Sequence, residues 1–160
     1  MDKYFFDAPQ ETHPERLWPL EHGCKGVVYD LGCGTHKTDQ SFIGVDIRPV
    51  TDVTAPLDAL PFSMGSADAI VSRHSFEHML DPVKTLCEWH RVLRKHGKVF
   101  IILPDHEFLD TMDPLYSNNE HLHAYTRDSF TRLVAYLDRF PKLASCLWKL
   151  LCLIGALELS

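Results

Sequence analysis

The sequence predicts a single three-layer α/β domain with a mainly parallel sheet. Short apolar, β-rich runs alternate with glycine and proline breaks through the first two thirds of the chain. A helix signal bounded by Asp81-Pro82 and Gly97 leads directly into a fully apolar run, as a strand–helix–strand unit requires. The length, 160 residues, suits one domain with a sizeable core. Strands are expected near 26–31, 42–46, 50–54, 68–72 and 98–103.

Each element follows from local pattern. Pro9, Pro14 and Pro19 among scattered aromatics make residues 1–25 an arm, with a short helix around Glu15 to Glu21. It packs over the sheet edge or touches a substrate. Val27, Val28, Tyr29 and Leu31 form a buried strand that stops abruptly at Gly32-Cys33-Gly34. A second run, Phe42 to Val45, ends on Asp46. Only eleven residues, Thr35 to Val45, separate Gly34 from Asp46, too few for the usual crossover helix once the strand is removed. A loop or single turn is expected there, with Lys37 either near a ligand carboxylate or solvated.

Val50 to Phe62 holds a third short strand and a turn from Ala55 to Phe62, and Asp68 to Ser72 reads as the fourth strand. Asp81 is an N-cap with Pro82 at the first helical position, and Val83, Leu86, Cys87, His90 and Leu93 form the inward face of a helix over 82–96. Arg91, Arg94, Lys95 and His96 favour the carboxyl end of its dipole, and Gly97 terminates it. Val99 to Leu103 is the fifth strand, stopped by Pro104. Residues 105–125 read as loop, with Asp113-Pro114, Asn118-Asn119, His121 and His123. Thr126 caps a helix carrying Phe130, Leu133, Val134, Leu137 and Phe140 at helical period. The Leu-rich tail, Lys142 to Ser160, has helical spacing and is marginal as a membrane span, which needs about 20 apolar residues.

Composition narrows the function. A formal net charge of -6 argues against a general nucleic-acid binder, which needs a basic face. Cys24, Cys33, Cys87, Cys146 and Cys152 are odd in number and show no Cys-x-x-Cys spacing, so they read as reduced thiols in a cytoplasmic protein. The first residues lack a basic segment followed by an apolar one, so no secretory signal is expected.

The glycine turn and Asp46 offer a nucleoside-type pocket, because ligands of open α/β sheets sit beyond the carboxyl ends of the strands. A dinucleotide site wants a third glycine where this chain has Lys37. S-adenosylmethionine has ribose and adenine but no phosphate. Asp30-Leu31-Gly32-Cys33-Gly34 and Gly44-Val45-Asp46 resemble the first two motifs of the class I S-adenosylmethionine-dependent methyltransferases. Downstream, Leu60-Pro61-Phe62 with Asp68 to Ser72, then His74-Ser75-Phe76-Glu77-His78, then Glu88 to Val99 with its Glu-x-x-Arg-Val-Leu core, are similar to that family's later motifs in order. The likeness covers residues 28–104, about half the chain, and the compact first crossover resembles a branch associated with glycan biosynthesis.

That resemblance implies a Rossmann-like domain over 1–160, with an N-terminal arm (1–25), a cofactor-binding core (26–104), and a lid loop with C-terminal helices (105–160). It implies cofactor contacts from Asp30, Gly32, Cys33, Gly34, Asp46, Ile47, Leu57, Asp58, Ala59, Leu60 and Arg73. The family's usual acid for the adenine amino group falls on Pro56, leaving Asp58 to take over or the adenine to be held by packing and backbone alone. The family also adds an antiparallel edge hairpin, whereas the helical spacing of this tail predicts a sheet that stops at five strands. The activity implied is methyl transfer to a small molecule, with a sugar or glycan-precursor hydroxyl as acceptor. His74, after the fourth strand, is the candidate base, or else packs beside the methyl group or bonds the cofactor. Glu77 and His78 brace the loop, and His121 and His123 sit on a closing lid or a solvated loop.

Two rivals come from other classes. One is a degenerate methyltransferase-fold module that partners an active subunit, with the Leu-rich tail open to a protein or membrane surface. The other is a zinc hydrolase, since His74, Glu77 and His78 fit His-x-x-Glu-His. No clearly placed third ligand follows, so no metal is expected.

Overall fold

The apolar runs become strands of one sheet in a computed structural model that describes residues 14–107, 121–137, 149–154 and 157–159. These strands are β1 (Val28–Leu31), β2 (Ile43–Asp46), β3 (Val53–Thr54), β4 (Ala67–Arg73), β5 (Leu93–Leu103), β6 (Lys149–Ile154) and β7 (Leu157–Leu159), in the order β3-β2-β1-β4-β5-β6-β7. Every pairing is parallel except β6 with β7. The order reverses between β1 and β4, and Leu31 sits level with Val45 on one side and Ser72 on the other. The turns after β1, β2 and β4 therefore leave the sheet at one end, where open α/β sheets bind ligands.

Helices α1 (Trp18–Glu21), α2 (Pro82–Val92) and α3 (Arg127–Leu137) complete the layers. On one face Leu31, Ile70, Val99 and Ile101 pack with Phe76, Leu86, Trp89 and Phe130. On the other, Val28, Val71, Phe100 and Ile102 pack with Trp18 and Cys24. Trp18 meets Phe100 edge-to-face at 5.8 Å, so the described part of the arm covers a face of the sheet and not its edge. The crossover from β1 to β2 has no helix, as its length dictates. Thr126 and Ser129 exchange side-chain and backbone bonds at the start of α3, making Thr126 the expected cap.

Three expectations are corrected. The sheet does not stop at five strands: Lys149–Ile154 pairs in parallel with β5, and Leu157–Leu159 returns antiparallel. A short apolar run has no decisive period, and the open edge of β5 presents backbone groups that such a run can satisfy. The helix ends at Val92, not near 96, because Leu93 already pairs with Ala67 in the sheet. The register then jumps to Lys98 opposite Ala69, so Arg94, Lys95 and His96 are exposed on a bulge, His96 with φ of +66°. Finally, the fully buried face of α2 is Thr85, Leu86, Trp89 and Val92, while Val83, Cys87 and His90 are half-buried. Trp89 carries the largest apolar surface of the helix, and its indole N–H reaches the Leu57 carbonyl at 2.9 Å, which sets the rotation. Among the described residues no helix is long and apolar enough to cross a membrane.

Candidate functional site

The site is built from the turn after β1. Gly32 adopts φ of +71° and donates to the Val45 carbonyl at 2.7 Å. A Cβ at Gly32 would stand 2.4 Å from Ser75 Cβ, so glycine is what lets the turns after β1 and β4 touch. Ser75 seals that contact by donating to the Leu31 carbonyl at 3.0 Å and sharing a hydrogen bond with Ser72. Cys33 is buried beneath the turn, and burial raises its thiol pKa despite the hydroxyl of Thr51. The thiol stays neutral there.

Asp46 ends β2 at the mouth of this turn. One oxygen accepts from Gly34 N–H at 2.9 Å, and the other from the Arg48 amide at 2.9 Å and the Arg48 Nε at 3.0 Å. Burial works to raise the Asp46 carboxyl, but the Arg48 bonds and the Gly34 N–H outweigh it and hold it below the ordinary carboxylate range. Ile47, next in the chain, is 72% exposed. Asp30 is fully buried: one oxygen takes the Thr38 N–H, and the other makes no hydrogen bond. Burial raises its pKa, against the Thr38 bond and the charges of Arg73 and Arg16.

Arg73 directs its guanidinium to the crossover turn, bonding Thr38 Oγ1 at 2.9 Å and the His36 carbonyl at 2.7 Å. Lys37 is neither solvated nor turned to a ligand site. Its ammonium holds the Phe42 carbonyl at 2.9 Å and Asp52 at 2.9 Å, and Asp52 in turn accepts from Gly44 N–H.

The Leu57–Leu60 turn is the third wall. Leu57 and Leu60 are buried and Ala59 is exposed, while the Asp58 carboxylate is paired with Lys84 at 2.6 Å. Three residues that sequence reasoning did not assign to the site hold this turn. Trp89 binds the Leu57 carbonyl, Glu88 takes Leu60 N–H at 2.7 Å, and Arg91 reaches the carbonyls of Leu60 and Phe62 while forking onto Glu88. The signal was present as the Glu-x-x-Arg-Val-Leu element, whose polar members face the turn while Trp89 and Val92 face the core.

The fourth wall follows β4. His74 has φ of +47°, and its Nε2 donates to Glu15 at 2.9 Å. Desolvation works to lower its pKa, but Glu15 and the charge of Glu77 outweigh it and raise it. Glu77 is 1% exposed on a single 3-10 turn, Phe76–His78, and neither of its carboxylate oxygens makes a hydrogen bond. Burial pushes its carboxyl up, opposed by His74, His78 and His121. Its carbonyl accepts from the N–H groups of Leu122 and His123, which docks that segment beside β4. His121 thereby lies 4.8 Å ring to ring from His78, whereas His123 donates to the Met79 carbonyl at 2.8 Å and acts as a brace. Asp113, Asn118 and Asn119 of the expected lid lie outside the described residues.

The chain is similar in sequence and fold to known proteins. Residues 21–101 match the family model described as a methyltransferase domain. A ubiquinone/menaquinone biosynthesis C-methyltransferase from Citrifermentans bemidjiense is 32% identical over 126 residues, covering 68% of this chain and 52% of that protein. The chain thus spans about half the length of the curated relatives it matches. Among solved structures, a possible histamine N-methyltransferase from Thermotoga maritima aligns with TM-score 0.62 at 16% identity, covering 76% of this chain and 68% of that one. The YcgJ protein of Bacillus subtilis aligns with TM-score 0.57 at 20% identity, covering 76% and 66%. With the family's motifs in order on the family's sheet, the chain belongs to the class I S-adenosylmethionine-dependent methyltransferases.

Proposed function

We propose that the chain transfers a methyl group from S-adenosylmethionine to a small-molecule acceptor. The observation that carries this reading is the convergence of the Gly32–Gly34 turn, Asp46 and the Leu57–Leu60 turn at one end of β1 and β2. The donor set suits that nucleoside. Asp30 has a buried oxygen without a hydrogen bond, which fits an ammonium group, and exposed Ile47 offers apolar cover for a base. Carboxylates at the mouth, and Lys37 in place of a third glycine, disfavour a pyrophosphate.

Bound there, the sulfonium supplies an electrophilic methyl carbon, and in-line displacement then depends mainly on positioning. Asp46 takes the ribose hydroxyls once the Arg48 side chain, 67% exposed, swings to solvent. Cys33 and Gly34 contribute backbone, Leu57 and Leu60 shape the adenine wall, and the exposed Ala59 forms its rim. His74 is the candidate base for the acceptor's proton, its ring steadied by Glu15 through Nε2 while Nδ1 lies 3.9 Å from Glu77. Arg73 and Asp58 serve the site indirectly, through the crossover turn and Lys84. A cytoplasmic, reducing setting suits the free thiols of Cys24, Cys33 and Cys87.

The acceptor we favour is a hydroxyl of a sugar or glycan precursor, supported by the chain's acidic balance and the polar residues of 113–123. A second reading, a quinone-type ring carbon, is favoured by what the curated relative is named for. Calorimetry with S-adenosylmethionine and its demethylated product tests the cofactor. Asp46→Ala should weaken binding by about 1.5–3 kcal/mol, as for loss of charge-assisted hydrogen bonds. No binding by the wild-type chain at millimolar cofactor would favour a module that partners an active subunit. A radiolabelled methyl-transfer screen over glycan precursors, quinone-type phenols, RNA and protein decides the acceptor. Label only in RNA or protein would refute a small molecule.

A further inference from the structure

We infer that Glu77, His78 and His121 form a binding site for a divalent transition-metal ion of the zinc class, between the 3-10 turn after β4 and the docked 121–123 segment. One ligand atom from each lies within 4.8 Å of the others, and all three residues are buried or half-buried. The strongest observation is Glu77. Its side chain is 1% exposed, yet neither oxygen makes a hydrogen bond. A buried carboxylate without hydrogen bonds is strongly unfavourable, so such groups pair, coordinate a metal or take up a proton.

Distances separate these outcomes. His121 Nε2 and His74 Nδ1 each lie 3.9 Å from Glu77 Oε1, within ion-pair range but too far for a hydrogen bond. Two ligands on a tetrahedral zinc with bonds of about 2.0–2.1 Å stand about 3.4 Å apart, so a small side-chain adjustment brings His121 and Glu77 onto an ion. The segment that carries His121 is held in place. Glu77's own carbonyl receives the Leu122 and His123 N–H groups, both at 3.1 Å, and His123 fastens to the Met79 carbonyl. One carboxylate and two imidazoles suit zinc, and three protein ligands leave a fourth position open.

The site differs from the His-x-x-Glu-His reading of the sequence. His74 Nε2 is engaged by Glu15, and the 3-10 turn at 76–78 does not give the stacked histidines of a helical zinc motif. What sequence reasoning lacked was a third ligand, and the docked 121–123 segment supplies it. The inference goes beyond methyl transfer, whose in-line displacement needs no metal, and stands or falls separately from it.

The test is metal binding by the full chain after chelator stripping. Zinc titrated calorimetrically should bind one per chain, and elemental analysis of the desalted protein should confirm that count. His121→Ala and Glu77→Gln should each weaken binding at least a hundredfold, with far-UV circular dichroism unchanged, while His36→Ala on the crossover turn should leave it within threefold. Cobalt in place of zinc should give a tetrahedral absorption spectrum free of thiolate charge-transfer bands. In the wild-type chain, zinc should shift two histidine imidazole resonances, one of them absent in His78→Ala and the other in His121→Ala. Absence of saturable zinc binding by the wild-type chain, sulfur ligation in the cobalt spectrum, or one zinc retained in both His121→Ala and Glu77→Gln would overturn the site.

Discussion

Arg91→Ala should loosen the Leu57–Leu60 turn more than any other single surface truncation on α2. Arg91 makes two bonds of 2.7 Å to Glu88, one of 2.8 Å to the Phe62 carbonyl and one of 3.0 Å to the Leu60 carbonyl. Hydrogen bonds to charged groups contribute about 1.5–3 kcal/mol each when shielded, and exposed ion pairs about 0–1 kcal/mol. The Arg91 side chain is 33% exposed and that of Glu88 15%, so screening removes much of the ion-pair share. A net loss of about 2–3 kcal/mol results, which for a chain of this size lowers Tm by about 5–10 °C. Arg91→Lys should restore less than half, since an ammonium cannot fork onto Glu88 and span two carbonyls together. The Arg91 bond, opposed by burial, holds the Glu88 carboxyl below its ordinary value. The pair's contribution is therefore fully present above that ordinary value and is lost as pH falls through the depressed one. Glu88→Gln should flatten that acid limb. Urea unfolding across pH, with cofactor calorimetry on the same variants, measures all of this. A change under about 0.5 kcal/mol in Arg91→Ala, or full rescue by lysine, would refute the clamp.

Gly32→Ala should cost at least about 2 kcal/mol, combining the left-handed backbone with a Cβ 2.4 Å from Ser75, and a thermal shift under 2 °C would show the two turns relaxing apart. Trp89→Phe should cost about 1–3 kcal/mol by leaving the buried Leu57 carbonyl unpaired, with weaker cofactor binding in calorimetry than in wild type; unchanged affinity would detach the turn from the site. Arg73→Ala should destabilise by about 2–3 kcal/mol in urea unfolding, since Asp30 stays buried while the crossover turn loses two bonds, and a neutral result would mean Asp30 is protonated in the fold.

How far the sequence revealed this molecule depends on whether a residue's role was local. β1, β2, β4 and the body of β5 were legible because parallel strands buried on both faces read as apolar runs cut by glycine or proline. The start of β5 was not, because Leu93 continues the helical spacing of α2 and also pairs with Ala67, and only the tertiary contact decides between them. The same holds for Leu150 to Ile154, whose composition suits either helix or strand until the edge of β5 is offered to it. That Gly32, Gly34 and Asp46 come together at one end of the sheet could be read from spacing alone. Glu88 and Arg91 appeared in a recognised element, but their partners, the Leu60 N–H and the carbonyls of Leu60 and Phe62, carry no sequence signal. His121 was visible only as a loop histidine, since its neighbour Glu77 belongs to a different turn.

The missing crossover helix explains why charged side chains crowd this end of the sheet. A helix after β1 would satisfy its own backbone and present a positively polarised terminus to a phosphate. Here the connection from Thr35 to Phe42 has no such ladder, and side chains do the work. Asp30 takes the Thr38 N–H, Arg16 the Thr38 carbonyl, Arg73 the His36 carbonyl, and Lys37 those of Gln40 and Phe42. Three cations are thereby committed to carbonyls, and at the glycine turn stand Asp30, one of its oxygens without a hydrogen bond, and Asp46, paired with the exposed Arg48. A phosphate there would meet two carboxylates with no helix dipole to offset them and only the exposed Arg48 in its favour. The proposed cationic sulfonium, with its ammonium group and ribose hydroxyls, suits both acids once Arg48 turns to solvent. The proposed phosphate-free nucleoside thus fits the field that a crossover without a helix leaves at this turn.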